Sequence, residues 1–184
     1  MKTIKSILVA VSVVVLLSAV SAFGQVRRNS VISNRQLAKQ VRHELVTLPY
    51  YGVFDNLAYN INGSTVTLYG QVVRPTTRSS AEGRVKQLPG VSRVVNNIKV
   101  LPLSSFDDNI RVATFRSIAR TAGLGRYLRG ANPSLHIVVD RGHISLEGVV
   151  DNSSDRNLAN IAARGVPGAF SVTNNLRVEG ENVG

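Results

Sequence analysis

Residues 57–72 read LAYNINGSTVTLYGQV, two runs in which apolar and polar side chains alternate around Asn62-Gly63. A period of two is the signature of a half-buried strand, and Asn-Gly supplies the positive φ that a tight hairpin turn requires. In the second run Val66, Leu68, Gly70 and Val72 share one face, and Thr65, Thr67 and Tyr69 share the other. Upstream, Leu37, Val41, Leu45 and Leu48 recur at helical spacing behind Asn34, which is placed to cap the helix that Pro49 ends. Downstream, Ala81, Val85 and Leu88 predict a helix over 78–88 that Pro89-Gly90 breaks, before VVNNIKV returns as a strand. The predicted order is helix, strand, strand, helix, strand.

The same order recurs. Asp107 or Asp108 caps a helix through Ile110, Phe115 and Ile118, and Leu135, Ile137 and Val139 open a hairpin that residues 144–150 close. A second helix over 158–166 and a strand over 172–178 follow. The glycine-rich stretch TAGLGRYLRG interrupts this pattern and leaves the end of the first helix of the second copy open. A shift of 78 lays residues 60–100 on 138–178 without a gap, with 11 of the 41 positions identical. The identities are spread over the segment, from Leu68 with Leu146 to Val100 with Val178, so the chain holds two copies of one unit.

VTLYGQV with PGVSRVVNNIKV, and ISLEGVV with PGAFSVTNNLRV, together resemble the BON domain of osmotically inducible periplasmic proteins. The resemblance covers nearly the whole chain after residue 24. It implies an α+β fold of two tandem αββαβ domains, each a three-stranded mixed sheet with two helices packed on one face. The motif positions are Gly70, Gly90, Val94, Asn96 and Val100, and in the second copy Gly148, Gly168, Val172, Asn174 and Val178. The domains are expected at 34–104 and 107–180. The resemblance also implies a transport-associated envelope protein of osmotic stress that binds phospholipid surfaces or envelope partners without turning anything over.

Read from the residues alone, the glycines fit close approach of a helix to a strand at Gly70 and Gly148, and turns after proline at Gly90 and Gly168. Asn96 and Asn174 share a face with apolar neighbours, and a buried amide needs partners, so each is expected to tie its strand to a nearby turn or helix.

At the amino terminus Lys2 and Lys5 precede an apolar run from Ile7 to Leu17 and the small-residue segment AVSAFGQ. This is the pattern of a signal peptide over 1–24, cleaved after Ala22 or Gly24, with an uncleaved anchor as the rival and 25–33 as a flexible connection. A periplasmic location follows. The sequence holds no cysteine, which excludes disulfides, thiolate metal sites and a cysteine nucleophile.

The formal charge of +11 comes from 22 Lys and Arg against 11 Asp and Glu, and it predicts an acidic partner. Most of the excess sits in the first copy. There Arg35, Lys39 and Arg42 lie at i, i+4 and i+7, away from the apolar stripe, and Tyr50 and Tyr51 follow in LPYYGVF. A cationic helix face with aromatics beside it suits an anionic phospholipid surface, so these five residues are the candidate membrane-binding set. Envelope proteins are the alternative partner. Nucleic acid is disfavoured by export and by the lack of aromatics interleaved with basic residues on a strand face. His136 and His143, placed in one hairpin where they would be cross-strand neighbours, have no acid or thiol at metal spacing. No cofactor, metal or catalytic residue is expected, and the chain reads as non-enzymatic.

Overall fold

A computed structural model describes residues 34–181, so the predicted signal segment and the residues up to 33 lie outside the described part. The chain divides into two compact units, Met1–Gln40 and Val41–Gly184. In the first, residues 34–40 are helical, with Leu37 buried and Arg35 and Lys39 exposed. Asn34 is itself helical, so the cap position lies outside the described residues.

The second unit opens on helical residues 41–46 (α1), with Val41 and Leu45 buried. Then come β1 (Asn56–Asn62), β2 (Thr65–Val72), α2 (Pro75–Lys86), β3 (Arg93–Asn96) and β4 (Lys99–Val100). The second copy supplies α3 (Ser105–Arg120), β5 (Leu135–Asp140), β6 (His143–Val150), α4 (Ser153–Arg164), β7 (Ser171–Asn174) and β8 (Arg177–Val178). In each copy the first two strands pair antiparallel and the last runs parallel to the central one. The fold is α+β, two copies of αββαβ with mixed sheets.

Each predicted third strand is split in two, and the paired asparagines are the cause. Asn96 Oδ1 accepts from the Ile98 N–H at 3.2 Å, which turns the backbone aside before β4 resumes pairing with β2. Asn174 does the same to Leu176 at 3.2 Å. The other end of each amide reaches a helix: Asn96 Nδ2 donates to the Arg78 carbonyl at 3.2 Å, and Asn174 Nδ2 to the Arg156 carbonyl at 2.9 Å. One amide thereby fixes both a strand break and the helix packed beside it. Val66, Leu68 and Val72 are fully buried, as are Ile144, Leu146 and Val150 in the second copy to within 1%.

Other expectations also change on the structure. The first hairpin turn is Gly63-Ser64 rather than Asn62-Gly63, since Asn62 still pairs with Thr65. Gly63 carries the positive φ of 59° there, and Arg141-Gly142 carries it at both positions in the second hairpin. The helix α2 begins at Pro75 and not at 78, because proline at the first turn gives up an N–H that has no helical partner anyway. The helix α3 is capped by Ser104, whose hydroxyl accepts from the Asp107 N–H at 3.2 Å, so neither aspartate is the cap. Gly70 and Gly148 face a strand and not a helix: a Cβ would stand 2.0 Å from the Asn56 or Ser134 carbonyl, at φ of 111° and 114°. The glycine-rich stretch also resolves, as a 3-10 turn over Leu124–Leu128 that buries Leu124, Tyr127 and Leu128 in the second core.

Candidate functional site

The two copies meet along the segment that links α1 to β1. Edge strand β5 has β6 on one side only, and on the other its Ile137 N–H donates to the Val53 carbonyl at 2.7 Å. Phe54 packs edge-on against Phe115 with ring centres 6.2 Å apart. Beside them the His136 ring is buried against Tyr51. Its Nδ1 lies 3.2 Å from the Gly52 carbonyl, which can only accept, so Nδ1 carries the proton. That leaves Nε2 to accept from the Tyr51 hydroxyl at 3.4 Å. Burial pushes the imidazole below its usual pKa and is the main reason the Tyr51 phenol is pushed up to about 12. Both rings are neutral at this contact near neutral pH. An ion pair closes the junction farther along, with Lys99 Nζ 2.5 Å from Asp140 Oδ2. The Lys99 hydrogen bond holds the Asp140 carboxyl below the usual carboxylate range.

Next to this contact lies a cleft of about 760 Å³. One wall is the end of α1 and the start of β1, with Arg42, Leu45, Leu57 and Tyr59; the other is the second sheet on the side away from its helices, with His136, Glu147, Val149 and Arg177. Its volume falls in the range of small-ligand sites, and its lining alternates apolar and polar groups. Glu147 is not free in it, because Asn175 Nδ2 donates to its carboxylate at 2.7 Å. Among the described residues, no group of His, Cys, Asp or Glu is arranged to hold a metal ion.

The predicted residues separate on this frame. Arg42 and Tyr51 both line the cleft, whereas Tyr50 is 71% exposed and outside it. Tyr50 sits at φ 67°, in the left-handed region that non-glycine residues rarely occupy, and its ring lies under the Arg74 guanidinium at 4.7 Å. Arg35 and Lys39, in the first unit, are exposed. His136 and His143 are not cross-strand partners: His136 pairs with Glu147, and His143 with Asp140. His143 instead meets the Ser171 hydroxyl at 2.7 Å.

Sequence reasoning missed Arg177, Tyr59 and Glu147 as cleft residues, since nothing in their spacing relates them to Arg42. One trace existed in Arg177 standing opposite Lys99 in the repeat. Reasoning also missed a small aromatic surface at the tip of the second copy, where Phe170, 71% exposed, lies 5.9 Å from Phe106 and 5.8 Å from His143. No described helix is long and apolar enough to cross a membrane.

The family model described as the BON domain matches residues 33–102 and 107–180. No curated protein matches the chain. Among solved structures, similarity is found to the C-terminal domain of CdsD, a structural protein of the type III secretion system of Chlamydia trachomatis. That likeness has 12% identity and a TM-score of 0.33, and covers 76% of this chain and 96% of that one. A second structure of CdsD from Chlamydia trachomatis matches at 12% identity and a TM-score of 0.29, over 77% of this chain and 91% of that one. TM-scores this low do not define a common fold.

Proposed function

The chain belongs to the BON domain family, an envelope-associated family of binding modules, and on that premise we propose that it is a non-enzymatic module binding anionic phospholipid surfaces. In this reading it is exported to the periplasm as two BON domains, 34–104 and 107–180, and supports envelope integrity or transport. The observation that carries the reading is the exposure of Arg35, Lys39 and Arg42 in a copy where basic residues far outnumber acids. A basic group close to an anionic bilayer contributes about 1 kcal/mol, so three acting together give reversible attachment. Tyr50, exposed beside Arg74, has the amphipathic ring suited to a headgroup layer.

Co-sedimentation with liposomes tests this directly. The protein is expected to pellet with anionic vesicles, to be released as salt rises past the range where charge is screened, and to lose binding when Arg35, Lys39 and Arg42 are neutralised together. Equal recovery with neutral vesicles, or none with either, removes the lipid reading. A second reading, a scaffolding module that docks on an envelope protein, is favoured by the Phe106 and Phe170 surface, because exposed aromatic pairs are common anchors of protein interfaces. For that reading, substituting both phenylalanines by serine is expected to abolish capture of a stoichiometric partner while vesicle binding persists.

A further inference from the structure

The basic side chains of this protein are not equivalent. Arg84, Arg111, Arg126, Arg141 and Arg156 each have a carboxylate within ion-pair distance. Lys99 has Asp140. Its counterpart in the repeat, Arg177, has no acidic partner among the described residues, and neither has Arg42. These two arginines line one cleft, one from each copy. The cleft between them is not polar throughout: Leu57 and Val149 contribute apolar surface. Two unpaired cations over apolar walls complement a molecule with a charged head and a hydrocarbon body.

We propose that the cleft between the two repeats binds a single anionic amphiphile, with its head group held by Arg42 and Arg177 and its apolar part lying on Leu57 and Val149. The inference rests on the anionic-lipid reading and narrows it from a surface to one captured molecule. Guanidinium is suited to the role because its planar donors engage phosphate or carboxylate oxygens in pairs. The Glu147 carboxylate in the same cleft opposes an anion, and one of its oxygens is engaged by the Asn175 amide. Two positive groups against one engaged negative group leave the cleft attractive to a monoanion.

The test is calorimetric titration with dihexanoyl phosphatidylglycerol kept below its micelle concentration, beside dihexanoyl phosphatidylcholine and inorganic phosphate. Saturable binding of one phosphatidylglycerol per chain is expected, with phosphatidylcholine and phosphate each about tenfold weaker. Phosphate separates the charge from the hydrocarbon: if it binds as tightly as the lipid, the amphiphile is the wrong ligand. Arg177 is exposed on β8, so Arg177→Gln folds, and it is expected to weaken the short-chain lipid about tenfold. Glu147→Gln is expected to tighten it. Unchanged affinity in Arg177→Gln, or no saturable binding, overturns the proposal. The two readings fail separately: vesicle pelleting with no effect of Arg177→Gln on the short-chain lipid sinks the cleft alone. Arg177-dependent binding of the short-chain lipid without vesicle pelleting sinks the surface alone.

Discussion

Positions 73 and 151 are equivalent in the two copies, and each carries a backbone N–H just past the central strand that must find an acceptor. In the first copy the Val73 N–H donates to the buried Asp55 carboxylate at 2.7 Å, and Gly52 N–H donates to the same carboxylate at 3.2 Å. In the second the Asp151 N–H donates to the Tyr127 hydroxyl at 3.0 Å. That hydroxyl donates in turn to Asp155 at 2.6 Å, and Arg126 joins the same carboxylate at 2.7 Å. One frame therefore tolerates two unrelated staples. What the fold demands at this point is an acceptor, and not a residue type. The acidic staple has a cost the phenolic one avoids, because burial raises the Asp55 carboxyl above its usual pKa. The helices that follow differ likewise. Asn152 caps α4 by accepting from the Asp155 N–H at 2.9 Å, whereas Arg74 at the same place before α2 makes no cap.

The glycines test how far the copies are alike. Gly70→Ala and Gly148→Ala each push a Cβ into a neighbouring strand's carbonyl at positive φ, and each is expected to cost about 3 kcal/mol. Urea denaturation should show the same loss for both, and a loss in only one would break the equivalence.

The staples come next. Tyr127→Phe leaves the Asp151 N–H without its acceptor and removes one of the donors to Asp155, for an expected loss of about 2 kcal/mol. Asp55→Asn is expected to cost less at neutral pH, because an amide relieves the buried charge. It should also change the pH profile. The folded protein keeps the Asp55 proton to higher pH than the unfolded chain does, so this group's stability is present in acid and declines as pH rises through its raised pKa. A melting-temperature series across the carboxylate range checks this, with the slope removed in Asp55→Asn.

At the junction of the copies the sign reverses. The folded pKa of His136 is lowered, so its contribution is complete above 6.5, the unfolded value, and is lost as pH falls through the lower folded value. Wild-type protein should lose stability on acidification over that window, and His136→Gln should lose less. The smallest expected effect is a gain: Arg74→Asn supplies α2 with the cap that α4 already has, for about 1 kcal/mol in thermal unfolding.

Most of the frame was legible in the sequence because burial follows period. Val66, Leu68 and Val72, spaced by two, form the inner face of β2, and Val41 and Leu45, spaced by four, are the buried face of α1. The capping of α3 was misread because Asp107 and Ser104 are both good caps, and a tertiary contact decided between them. Asp107 is fully buried and accepts from the N–H groups of Arg141 and Gly142 at 2.9 and 2.8 Å, tying the helix to a hairpin 34 residues away. The cleft was invisible for a related reason. It exists only where Arg42 and Arg177 are brought together by the packing of one copy on the other. Periodicity describes each element against its own core and holds no information about that packing.

The bond from Ile137 to Val53 bears on how this chain reaches its folded state. Val138 and His136 on β5 are buried along with the strand's inner face, so the second copy made alone would present a bare strand edge beside uncovered apolar surface. Such an edge is a template for pairing with other chains. The chain emerges from its amino terminus, so the residues that cover β5 come out before β5 does. The order of the two copies along the chain thus acts as protection during biogenesis, with the earlier copy serving as an internal guard for the later one.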